Sequence, residues 1–212
     1  FINNSKQIVF SSNRTDDTLR DQPKVLQPGF PSFHDLFLYD YAKKAKVVRR
    51  LTNTPYVDEY QAKEYKPGYL SYLSDNNGIS NRYIAEFDSV ITHVDTSAHY
   101  RYYTRDFPVT DYSRSVVSHD VSYNSGQIAE IIHAGQRMTI YLENQPEQSP
   151  EPPVKPEKTA YMEQKLLQMS TLESAQVKEE LEQKQRIARK RFVNVYSDEI
   201  ENEGNGSPTE QL

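Results

Sequence analysis

Over its first two-thirds the chain alternates short apolar runs with clusters of Asn, Asp, Gly and Pro. Ile8, Val9 and Phe10 lead through Ser11 and Ser12 to Asn13-Arg14, a β-branched and aromatic run leaving for a turn. Residues 35–40, Asp-Leu-Phe-Leu-Tyr-Asp, predict a second strand after a long loop rich in Asp and Pro. A third runs from Val47 to Thr52 and is broken by Pro55, which cannot donate to a ladder. The clearest hairpin pairs residues 69–74 with residues 81–85. Asp75, Asn76, Asn77 and Gly78 join them, and Asn77-Gly78 is expected to take the positive φ of a tight turn. Further strands are predicted at 89–94, 100–104, 115–121, 128–132 and 138–142, with turns at Gly126 and Gly135.

These segments repeat. Residues 8–14, 35–40 and 51–53 are echoed by 70–76, 81–88 and 103–105. In both copies a strand ends in Ser with Asn or Asp, a second ends at an Asp, and a third ends in Thr. A recurring hairpin of this kind predicts an all-β fold over residues 1–143, a partial β-propeller of antiparallel blades. An open antiparallel sandwich is the alternative.

The pattern changes at Asn144. Residues 144–158 hold Pro146, Pro150, Pro152, Pro153 and Pro156, which predicts an extended, semi-rigid spacer. Residues 159–196 lack Gly and Pro and predict a charged amphipathic helix. Met162, Leu166, Met169, Val177, Leu181, Ala188 and Phe192 form its apolar stripe. Ser170 with Glu173 resembles a capping box, so two helices are the other reading. Residues 197–212 are acidic, contain no base and are expected to be disordered.

Composition narrows the function classes. Sixteen tyrosines against eight phenylalanines and no tryptophan suit half-buried strands. The chain has no cysteine, which excludes disulfides and thiolate metal sites. Thirty acidic and 25 basic residues give a net charge of -5, which argues against a nucleic-acid footprint. No run of 18 apolar residues occurs, so no transmembrane helix is expected. The first residue is Phe rather than Met, and the chain reads as a piece of something longer.

Residues 8–14, 35–40 and 51–54 together resemble the WD40-like repeats of TolB-type β-propellers, and Tyr72 to Ile79 followed by Tyr83-Ile84 matches the next blade. The resemblance spans about residues 5–143 and thins beyond Asp88. The long Tyr- and Asn-rich strands look most like large cell-envelope proteins of the Bacteroidota. The resemblance implies a periplasmic or envelope location and a scaffold role, within a secretion or transport assembly. It also admits the propeller portion of a prolyl-oligopeptidase-like hydrolase whose catalytic domain lies elsewhere. Two or three blades do not close a ring, so a fragment is implied.

The residues name little chemistry. His34, His93, His99, His119 and His133 are scattered, and His93, Asp95 and His99 lack a closing ligand pattern. Ser115, His119 and Asp120 tempt a triad, but no Gly-x-Ser-x-Gly elbow occurs. Asp75 to Gly78 lacks the later acidic ligand of a calcium loop and is explained as a structural turn. Arg186, Arg189, Lys190 and Arg191 form a basic patch that suits a helix C-terminus or peripheral association with a membrane surface. The expectation is therefore a non-catalytic scaffold with no cofactor and no metal, binding other envelope proteins. Met162, Leu166, Met169, Val177, Leu181 and Phe192 are its candidate contact residues.

Overall fold

The computed structural model describes residues 1–14, 32–94, 98–122, 124–145 and 151–203, with side chains outside 89–103 and 188–203. It is mostly β, with three antiparallel sheets and one helix. The chain divides into two compact units, Phe1–Glu163 and Gln164–Leu212.

All three sheets belong to the first unit, and each is built from strands consecutive in sequence. The first contains β1 (Gln7–Ser12), β2 (Asp35–Asp40) and β3 (Arg49–Arg50). The second contains β4 (Glu59–Lys66), β5 (Tyr69–Ser74), β6 (Asn81–Val94) and β7 (Ala98–Pro108). The third contains β8 (Val116–Ser122), β9 (Gln127–Ala134) and β10 (Arg137–Asn144). Among the described residues no ring of sheets closes.

Two differences from the sequence reading stand out. The stretch 59–66 is a strand that its charged composition concealed, and 81–94 is one strand where two were expected. β4 is irregular: Gln61 has φ 55 and the ladder to β5 shifts register between Tyr60 and Lys63. Such a bulge interrupts the two-residue alternation on which pattern reading relies.

The core explains why consecutive residues of β6 are all buried. Tyr83 and Ala85 join Leu36 and Leu38 of β2 and Leu70 and Tyr72 of β5 in one cluster. Ile84, pointing to the opposite face, joins Tyr65 of β4 and Ile128 of β9 in another. The second sheet is thus covered on both faces, by the first and third sheets.

The β5–β6 connection departs slightly from the expected hairpin. Gly78 N–H donates to the Asp75 carbonyl at 2.7 Å, closing a turn over Asp75, Asn76, Asn77 and Gly78. Only Gly78 has positive φ, at 90°. Asn77 instead uses its side chain, whose Oδ1 accepts from Ile79 N–H at 3.1 Å.

Helix α1 (Ala160–Glu203) starts inside the first unit and continues into the second. It runs unbroken through the expected capping box. Ser170 hydroxyl donates back to the Leu167 carbonyl at 2.9 Å, so it serves a helix interior rather than a start. The helix also takes in residues 197–203, which the sequence reading assigned to the acidic tail. The rest of that tail lies outside the described residues, as do the loop over 15–31 and Pro146 and Pro150 of the spacer.

Candidate functional site

Residues 151–158 of the segment read as an extended, semi-rigid spacer form a strap against the sheets. Val154 N–H donates to the Pro108 carbonyl at 2.9 Å, and Asn77 Nδ2 donates to the Glu157 carbonyl at 3.4 Å. Thr159 N–H and hydroxyl both donate to the Asn77 carbonyl, at 2.9 and 2.8 Å. The Thr159 hydroxyl in turn accepts from Met162 N–H at 3.2 Å and caps α1. The Asp75–Gly78 turn is therefore the seat of the helix start. A Cβ on Gly78 would fall 2.2 Å from Thr159 Oγ1 and 3.1 Å from Met162 Cβ.

The strap is latched by charge. Arg82 of β6 is 1% exposed and donates through Nε to Glu130 of β9 at 2.6 Å. Its two terminal nitrogens donate to both oxygens of Glu151 at 2.8 and 3.0 Å. Tyr65 hydroxyl donates to Glu151 at 3.1 Å and Tyr112 hydroxyl to Glu130 at 2.8 Å. One guanidinium thus holds two carboxylates, and two phenols supply the remaining donors. Burial alone would lower the Arg82 pKa, but the hydrogen bonds and charges of Glu151 and Glu130 outweigh it and raise it. Burial and the adjacent carboxylates push both tyrosines upward, so they remain donors.

Two further buried groups have unusual acidities. Glu59 accepts from Thr54 hydroxyl at 2.9 Å, yet its Oε2 has no hydrogen-bond partner. Burial, with Asp35 and Asp106 nearby, pushes its pKa up to about 7. His119 Nε2 lies 3.1 Å from Ser71 Oγ, while Nδ1 has no hydrogen-bond partner. Burial and the Arg82 charge push the imidazole down to about 4.

The triad residues do not converge. Ser115 Oγ accepts from Ser80 N–H at 3.1 Å, and Asp120 is exposed beside Lys63 at 3.3 Å. The serine that meets His119 is Ser71, and it is fully buried. Among the described residues no group of three or more metal-ligating side chains is gathered. The side chains of His93 and His99, and Asp95 entirely, lie outside the described residues.

The apolar stripe of α1 divides in two. Met162 is 1% exposed over Gly78, so it is enclosed by this chain's own turn. Leu166 is half-buried and Met169 buried, whereas Val177 is 58% and Leu181 53% exposed. Leu167, Leu172 and Ile187 are exposed too, so apolar residues are not confined to one stripe. The side chains of Ala188, Arg189, Lys190, Arg191 and Phe192 lie outside the described residues. No helix among the described residues is long and apolar enough to cross a membrane.

The sequence reading missed Arg82, Glu130 and Glu151. Arg82 offered one signal: it precedes Tyr83, Ile84 and Ala85 in a predicted hairpin strand, and a charge drawn into a buried strand demands a partner. No protein family, curated protein or solved structure matches the chain.

Proposed function

We propose that the chain is part of a β-propeller of the TolB-type, WD40-like kind, acting as a non-catalytic interaction scaffold in the periplasm or cell envelope. One observation supports this above others. Three consecutive meanders pack in chain order, and the middle one buries apolar side chains on both faces. Radial stacking of successive antiparallel sheets is how propeller blades bury their faces. The scaffold role draws support from the exposed apolar side chains of α1, with Val177 and Leu181 as the expected contacts for a protein of a secretion or transport assembly.

The test uses the immobilised full chain, challenged with envelope extract and read by mass spectrometry. A defined set of captured proteins that is lost with Val177→Asp plus Leu181→Asp, at unchanged thermal unfolding of the sheets, is expected. Capture indifferent to those substitutions would remove α1 as the contact. Turnover of a generic peptidase or esterase substrate, abolished by one point change, would replace the scaffold with an enzyme.

A further inference from the structure

Among the described residues the third sheet ends in a strand with a neighbour on one side alone. β10 pairs with β9 alone, whereas β6, the third strand of the second sheet, is covered by β7 along most of its length. Met138, Ile140 and Leu142 are 66, 65 and 69% exposed. Edge strands are normally protected by internal Lys, Pro or a bulge. β10 has none of these between its charged ends, Arg137 and Glu143, and its ladder to β9 is regular.

The backbone decides which groups are open. Gly135 (φ 68°) and Gln136 form a two-residue loop, so the flanking pair Ala134 and Arg137 is hydrogen-bonded. Alternation then turns the amides and carbonyls of Arg137, Thr139, Tyr141 and Glu143 to β9. Those of Met138, Ile140 and Leu142 turn to the open edge.

We infer that this edge pairs antiparallel with β10 of a second copy of the chain, about a two-fold axis at Ile140. In that register Met138 faces Leu142 of the other copy, and Thr139 faces Tyr141. Arg137 faces Glu143, on both sides of the axis. The strand is complementary to itself in charge, size and hydrogen bonding, which is what a closed two-fold contact requires. The inference does not rest on the propeller reading; a monomeric chain would remove it and leave that reading intact.

The test is sedimentation equilibrium of the full chain. A monomer–dimer equilibrium is expected, weakened on the order of tenfold by Arg137→Glu, which sets like charges across the pair. Combining Arg137→Glu with Glu143→Arg restores it, although the two sites are far apart within one strand. Because the chain has no cysteine, Ile140→Cys gives a single thiol. Its Cα would lie about 5.5 Å from its symmetry mate, within disulfide reach. Ile140→Cys therefore cross-links under mild oxidation and Leu142→Cys does not. A monomer at every concentration, absence of charge-swap rescue, or equal cross-linking of both thiols overturns the inference. Circular dichroism of each variant confirms that the sheets are folded.

Discussion

The second and third sheets are alike in plan and opposite in cover. Each begins as a three-strand meander with an isoleucine among apolar neighbours on its third strand. On β6, Ile84 is fully buried; on β10, Ile140 is 65% exposed. Nothing intrinsic to the two isoleucines differs. What differs is that β6 has a fourth strand at its edge and a sheet on each face, while β10 has one neighbouring strand among the described residues. Burial is a property of the assembly of sheets, and a strand pattern reports only the capacity for it.

The contrast can be broken most severely at Arg82, where the two sheets and the strap meet. Arg82→Ala leaves Glu130 and Glu151 without their guanidinium and should cost about 3–5 kcal/mol, measured by urea unfolding. Glu151→Gln should cost less, because Glu130 keeps its partner. An equal loss from both would mean that the strap alone stabilises the network.

Ile84→Ala should cost about 2–5 kcal/mol, since it opens a cavity between closed sheets.

The next test is pH dependence, where two buried groups oppose each other. Glu59 keeps its proton in the folded chain up to about 7, against an ordinary value of 4.5. Between those values the folded state binds more protons, so this contribution falls as pH rises. His119 stays neutral down to about 4, against 6.5, so its contribution rises with pH over that window. In wild type the slopes offset between about 4.5 and 6.5. Glu59→Gln should expose the His119 slope, with stability lost as pH falls from 6.5 towards 4. His119→Gln should expose the other, with stability lost as pH rises from 4.5 towards 7. Each amounts to at most about 3 kcal/mol relative to wild type. Stability curves parallel to wild type would show that neither group is buried as described.

Gly78→Ala should cost about 1–3 kcal/mol, through positive φ and contact with Thr159. Adding Thr159→Ala should not recover the loss, because it removes the helix cap as well. Recovery would mean that crowding outweighs both φ and the cap. The smallest effect belongs to Ile140→Ala: under about 0.5 kcal/mol in the monomer, as for exposed positions generally. A cost approaching that of Ile84→Ala would mean that β10 is covered within the chain.

The comparison also shows what the residues could reveal unaided. Strands with short apolar and aromatic runs bounded by turn residues, such as 35–40 and 69–74, were legible because their pattern is local. So were the Asp75–Gly78 turn and the start of the helix near Thr159. β4 was not: Glu59, Lys63 and Glu64 are charged, and the buried position of Glu59 depends on Thr54 and on packing set by distant strands. The strap was hidden for a related reason. A Pro-rich acidic segment reads as a spacer, and only the position of Arg82 in space turns Glu151 into a latch.

The separation of that latch along the chain has a consequence for synthesis. Arg82 precedes Glu130 by 48 residues and Glu151 by 69. At ribosomal speeds of roughly 5–20 residues per second, both carboxylates are made some seconds after the guanidinium. An unpaired guanidinium is costly to bury, so closure of the face around Ile84 is favoured only once a carboxylate is present to pair with Arg82. Glu130 is made first and Glu151 second, so a chain released between them would keep one partner for Arg82 and lose the two hydrogen bonds of the strap.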